Sequence, residues 1–218
     1  MLWHKLGSNQ TGGLTLTYIG TNEEATSGVP TITYSNQGIG AASDDRLVVV
    51  CVAIYDNNVG RITGVTLGGN AMTEDITYGS TSYDQGIFSY KLPSGTTADI
   101  VITHDGPVWS PPASSIAVYT ITGSDTTAAV ETDGYSGIGT FEFTLSASVN
   151  NPVILQATHG TTITWTSTSN IADFVEDVAI EVDSYETSYA SGTISAVTAT
   201  ADPDVVTGTP RGVAAVYG

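Results

Sequence analysis

The sequence predicts an all-β protein, an antiparallel β-sandwich of jelly-roll-like build, and three observations carry that expectation. Short alternations of apolar residues with Thr recur along the chain. Clusters of Gly, Pro, Asn and Asp separate them. Between them no amphipathic run is long enough to supply the crossover helices that a parallel sheet requires.

Taken in order, Leu14 to Ile19 alternates apolar side chains with Thr, the period-two mark of a half-buried strand, and Thr31 to Tyr34 repeats it. Leu47 to Tyr55 is apolar on both faces, which places it centrally in a sheet covered on both sides. Strands are expected next at Val65 to Leu67, Met72 to Tyr78, Gly86 to Tyr90, Ala98 to Thr103 and Ser115 to Thr122. The second half offers Thr140 to Leu145, Val153 to Thr158, Phe174 to Val182, Tyr185 to Tyr189, Ile194 to Ala199 and Val213 to Val216. Turns are expected at Gly68-Gly69-Asn70, Pro93-Ser94-Gly95, Asp105-Gly106-Pro107, Asn150-Asn151-Pro152 and Thr207 to Pro210. One stretch is ambiguous: Ile171, Val175, Val178 and Val182 have helical spacing, yet the segment also reads as a strand from Phe174, and the strand is preferred. No composition break divides the chain, so residues 14–218 read as one sandwich domain and residues 1–13 as an N-terminal arm.

Composition narrows the function classes. Hydrophobic residues make up 40% of the 218, enough for a core, while charged residues reach only 12%, so Thr, Ser, Asn and Gly must carry the polar surface. Thr suits a pleated strand because its branched Cβ is stiff. The 22 acidic residues against 5 basic ones give a net charge of −17, whose plainest reading is solubility. Such a surface repels phosphates and anionic headgroups within a Debye length of about 8 Å, so neither nucleic acid nor a membrane is expected as partner. The segment Met1 to Lys5 lacks the apolar core of a signal peptide, and no run approaches the roughly 18 to 20 apolar residues of a membrane span. Synthesis in the cytoplasm without cleaved export is the expectation.

Motifs of catalysis are missing. No G-x-S-x-G elbow, P-loop or dinucleotide fingerprint is present, and Gly68-Gly69 is a hairpin signal. His4, His104 and His159 are isolated, without the pairing that zinc needs, and His104 and His159, each after a predicted strand and next to a turn, are expected on surface loops. Cys51 is the only cysteine and lies in an apolar run, where a thiol serves as a small buried hydrophobe. The pairs Glu23-Glu24, Asp44-Asp45 and Glu176-Asp177 are neighbours on strands and point to opposite faces, not towards each other as glycosidase carboxyls must. Asp202-Pro203-Asp204 and Asp56-Asn57-Asn58 put oxygen ligands on turns, but no complete calcium loop accompanies them. The expectation is therefore no catalytic residue, no cofactor, no metal and no enzyme. Trp109, Trp165, Tyr185 and Tyr189 could form a sugar-binding platform or fill the core. Trp165 reads as core, whereas Trp109, in the stiff loop Pro107 to Pro112, is the candidate exposed aromatic.

The run Leu47 to Tyr55 followed by Val65-Thr66-Leu67-Gly68-Gly69-Asn70-Ala71-Met72-Thr73 resembles a β-sandwich family of tailed-bacteriophage virion structural proteins. In that family an apolar strand precedes a V-T-L-G-G-x-A-M-T hairpin. Ile87 to Tyr90, Ala117 to Gly123, Thr162 to Thr166, Thr198 to Thr200 and Ala214 to Val216 are similar as well, so the resemblance spans residues 14–218. It implies a virion structural protein, a capsid decoration (cement) subunit or an appendage, and it brings no catalytic residues.

Two functional readings follow. The first is a subunit on the outer particle surface, bound to the major capsid protein or other virion proteins and self-associating as a dimer or trimer. The alternative is a carbohydrate- or receptor-binding module of a head or tail appendage, with Trp109 stacking on sugars. In the arm, Leu2, Trp3 and Leu6 beside His4 and Lys5 form a candidate partner anchor hinged at Gly12-Gly13. Trp3 folding back on the sandwich edge is the competing expectation.

Overall fold

The computed structural model describes residues 13–25, 30–55, 61–79, 83–105, 113–136, 141–145, 151–159, 171–182, 185–194, 197–201 and 211–218. Every regular element among them is a β-strand, and all pairings are antiparallel.

Sheet A runs in the order β1 (Thr15–Ala25), β9 (Ala113–Thr122), β3 (Leu47–Tyr55), β7 (Tyr83–Lys91) and β6 (Thr73–Gly79). Sheet B orders β2 (Thr31–Gly38), β8 (Thr97–His104), β4 (Ile62–Leu67) and β5 (Asn70–Ala71). Sheet C orders β10 (Glu131–Ser136), β16 (Arg211–Val216), β12 (Asn151–His159), β14 (Tyr185–Ile194) and β13 (Ile171–Val182). A ribbon of β11 (Phe141–Leu145) and β15 (Val197–Ala201) lies against β10 and β16.

The sheets stack as B on A on C, and the pleat of β3 shows why. Val48, Val50, Val52 and Ile54 join one core with Ile32 and Tyr34 of β2, Ile100 and Ile102 of β8, and Val65 and Leu67 of β4. Leu47, Val49 and Cys51 join a second core with Ile154 of β12, Tyr189 of β14, and Val213 and Ala215 of β16. Strands β7 and β9 divide in the same way: Phe88, Ile116 and Val118 face sheet B, whereas Ile87, Ala117, Tyr119 and Ile121 face sheet C. A strand that is apolar at every position is what a sheet buried on both faces needs. The sandwich expectation therefore holds with an addition, a third layer that makes A an inner sheet.

Strand β13 is extended, which settles the Ile171–Val182 ambiguity in favour of the strand. Between β4 and β5, Gly68 (φ 56°) and Gly69 (φ 81°) both occupy the left-handed region, as a two-residue type I′ hairpin demands. Asn151 and Pro152, expected in a turn, instead open β12, where a proline is tolerated at the strand's start.

Candidate functional site

Polar groups inside the stack are the places to look for function, because each must be partnered or costs stability. Two carboxylates in the gap between sheets A and C share one design. On β13, an edge strand of sheet C, the pairing with β14 slips between Glu176 and Val178 and leaves Asp177 at a bulge. A bulge re-aims its side chain, and here the carboxylate enters the gap. Asp177 Oδ2 accepts hydrogen bonds from the Tyr119 hydroxyl at 2.8 Å and the Ser191 hydroxyl at 2.7 Å. Burial pushes the Asp177 pKa up, with the hydroxyls of Ser191 and Tyr119 opposing.

On β6, an edge strand of sheet A, the pairing with β7 slips between Glu74 and Ile76, again at an aspartate. Asp75 Oδ2 accepts from the Tyr217 hydroxyl at 2.8 Å, and Oδ1 accepts from the Ala129 amide at 2.8 Å. Burial raises its pKa too, against the Ala129 amide and the hydroxyls of Ser89 and Tyr217. Each pair ties one sheet to the other, Tyr119 of A to Asp177 of C and Asp75 of A to Tyr217 beyond β16. Burial pushes both phenols well up, so they remain donors.

The two pairs do not form a catalytic dyad. Tyr119, Val49 and Ser89 are in register across β9, β3 and β7, and β6 is next. Three strand spacings of about 4.8 Å put the pairs about 14 Å apart. Glycosidase carboxyls stand about 5 to 9.5 Å apart.

Beside Asp177 the A/C gap opens into a cleft of about 410 Å³. Leu14, Leu16 and Tyr18 form one wall, and Asp177, Ser191 and Thr193 the other. The Tyr18 ring packs on that of Tyr119 with centroids 5.4 Å apart and planes tilted by 52°, within the range of favourable aromatic contacts.

In the gap between sheets A and B, the Tyr34 and Ser114 hydroxyls are 2.6 Å apart. The Ile62 amide donates to Asp84 Oδ2, so this side chain of β7 bridges to sheet B. Asp84 is 4% exposed, and burial pushes its pKa from 3.8 to about 6 despite the Ile62 amide and the nearby Arg61. His104 corrects the surface-loop expectation. It ends β8 on the inward face that carries Ile100 and Ile102, and it is only 4% exposed. Neither of its ring nitrogens has a hydrogen-bond partner among the described residues.

Arg46 was not singled out by the sequence, and it is fully buried just ahead of β3. Its Nε donates to Leu92 O at 2.8 Å and Nη2 to Ser94 O at 2.8 Å. Its Nη1 lies 2.9 to 3.2 Å from the carbonyls of Ile39, Gly40, Ala41 and Gly95. Desolvation lowers its pKa, yet a guanidinium stays charged in proteins. The neighbouring Asp45 faces elsewhere. It accepts from the Ser43 hydroxyl and from the Gly123 amide at 2.7 Å, and these bonds lower its pKa in that order. A clue existed in the sequence, since one of only five basic residues sits directly before the most apolar run.

Of the residues singled out by sequence, Leu2, Trp3 and Leu6 fall in 1–12, outside the described residues. So do Trp109, Trp165, His4, and the Asp56 to Asn58 and Asp202 to Asp204 turns. Tyr189 is a core residue whose hydroxyl meets that of Ser115 at 2.8 Å. Cys51 is buried, and burial pushes its thiol pKa well up. Among the described residues no group of three or more His, Cys, Asp or Glu side chains could hold a metal ion.

No family model matches the chain, and no curated protein matches it. Among solved structures it is similar to the major capsid protein P2 from Bacteriophage PM2, at 11% identity and a TM-score of 0.26, over 94% of this chain and 98% of that one. A second is the PBSX exported protein XepA, at 10% identity and a TM-score of 0.23, over 93% of this chain and 86% of that one. Likenesses this slight carry no argument about what the chain does.

Proposed function

We propose that this chain is a structural protein of a bacteriophage particle, a decoration or cement subunit on the outer capsid surface, and not an enzyme. The observation that supports this reading best is where the interior polar groups point. Asp75, Asp177, Tyr119 and Tyr217 tie sheet to sheet, and Arg46 ties two loops to the base of β3. That use of chemistry suits a stiff particle component.

Sequence adds two supports. The segments that resemble the phage sandwich family form the innermost strand, β3, and the β4–β5 hairpin beside it. A charge of −17 suits a solvent-facing layer better than a lining in contact with packaged DNA. The partners under this reading are the major capsid protein or another virion protein, together with further copies of the chain as a dimer or trimer. The test is location. Gold-labelled antibody on intact particles should decorate the capsid shell, and recombinant protein should rebind shells from which it has been stripped. Label confined to the tail together with glycan binding would favour the appendage reading. Absence from purified particles would sink both.

A further inference from the structure

Strand β2 is one edge of sheet B, and its outer side meets no strand among the described residues. Its pairing with β8 fixes which backbone groups face that side. His104 N donates to Pro30 O at 3.1 Å, so residues 30 and 104 form a bonded pair. Bonded pairs alternate with non-bonded ones along an antiparallel ladder, so Ile32–Ile102 and Tyr34–Ile100 are bonded too. Thr31 and Thr33 therefore turn their N–H and C=O groups away from β8, and both residues are exposed. We propose that a second copy of this chain pairs with these groups, β2 against β2, so that the two B sheets join across a two-fold axis at Ile32.

Three observations point to this occupant. The first is that β2 lacks the guards found on the other edges of sheets A, B and C. Strands β1, β6 and β13 each slip in register and carry at least two acidic residues. Strand β10 carries Glu131 and Asp133, and β5 is two residues long. Bulges, charges and short length are the devices that keep an edge from pairing. Thr31 to Tyr34 has none of them: it is regular and uncharged, and only beyond it does the slip around Asn36 (φ 54°) disturb the edge.

The second is symmetry. Thr31-Ile32-Thr33 reads the same in both directions, so an axis at Ile32 sets Thr31 of each copy opposite Thr33 of the other. Those two pairs exchange four N–H···O bonds, all from groups that β8 does not use. The bonds run through the backbone, and the Thr side chains stay on the solvent face, where Thr–Thr pairs are favourable. The third is charge. Copies that each carry −17 repel one another, and an uncharged edge is where they meet at least cost. This contact commits the self-association proposed above to a dimer, and it does not depend on the virion reading, because it forms between free copies in solution.

The test is sedimentation velocity on the full chain over a concentration series, with Thr33→Pro and Thr33→Ala for comparison. Proline removes the outward N–H of residue 33 and none of the bonds to β8, a change that an edge strand tolerates. The parent and Thr33→Ala should dimerise alike. Thr33→Pro should weaken the dimer by about tenfold or more, since two of the four bonds are lost. A parent that stays monomeric at its highest soluble concentration would overturn the proposal, as would a trimer or a Thr33→Pro dimer of undiminished strength. A second measurement guards against misfolding of the proline variant. In the unaltered chain the Thr31 and Thr33 amides should exchange with deuterated solvent more slowly as protein concentration rises. Exchange that does not change with concentration, in a protein that still dimerises, would put the contact elsewhere and sink the β2 pairing.

Discussion

Arg46 holds six carbonyl oxygens with no carboxylate opposite among the described residues, so its removal would leave polar backbone groups of two loops unmet inside the protein. Arg46→Met, close in length but apolar, should therefore cost about 3 kcal/mol or more in urea denaturation. Arg46→Lys should recover only part, because a compact ammonium cannot reproduce the planar fork. Asp84 gives a pH effect of definite sign. Its pKa rises from 3.8 to about 6 on folding, so the fold favours the protonated form. Its contribution is fully present below about pH 4 and is lost as the pH climbs through about 6, a swing of about 3 kcal/mol. Asp84→Asn keeps an oxygen for the Ile62 amide and should flatten that part of the profile of Tm against pH, leaving the variant more stable than its parent at pH 8. Unchanged pH dependence would show that other carboxylates govern it. The position of Arg46 before the most apolar run was a clue, but the partners of Arg46 and Asp84 were not legible, since only the three-dimensional path of the loops and of β4 brings them together.

Elements were easier to read than single residues, for a physical reason visible in β3. Its nine apolar residues need no knowledge of a partner to declare a strand buried on both faces, and both its limits and its place were legible. Strand β10 was missed because Glu131-Thr132-Asp133-Gly134-Tyr135-Ser136 has neither alternation nor a β-branched run, and pairing with β16 alone makes it a strand. Bulges were illegible too. Asp75 and Asp177 look like outward acids until a register slip turns them inward, and such inward charge on β6 and β13 also discourages edge-to-edge pairing. Tyr119→Phe and Tyr217→Phe should each cost about 1 to 3 kcal/mol by leaving a buried carboxylate short of a donor. Because the sites are about 14 Å apart, the double variant should equal the sum within about 0.5 kcal/mol. A large departure would mean that the two ties are coupled through the sheet.

On the scale of the molecule, pairings such as Thr15 with Thr122 and Thr31 with Thr103 join distant parts of the chain. Non-local pairing of this kind folds slowly, so refolding followed by tyrosine and tryptophan fluorescence should take about a second or longer. Chelators should move Tm little, given the absence of a complete calcium loop in the sequence. A fall of many degrees in EDTA would turn attention to Asp56, Asp202 and Asp204. Sheet A, meanwhile, works as a party wall between two rooms. Val49 and Val50 are neighbours in the chain but furnish different rooms, whereas Val50 and Val118 stand side by side on adjacent strands and furnish the same one. Alanine at 49 and 50 should therefore combine almost independently, while alanine at 50 and 118 should interact through a shared void. A wall with a tenant on either side cannot be shifted for one alone, so β3 has little freedom to drift in volume. Variation among descendants of this chain should collect on its outward faces, at positions such as Thr31, Thr33 and Thr97, where a new neighbour can be accommodated without disturbing either interior.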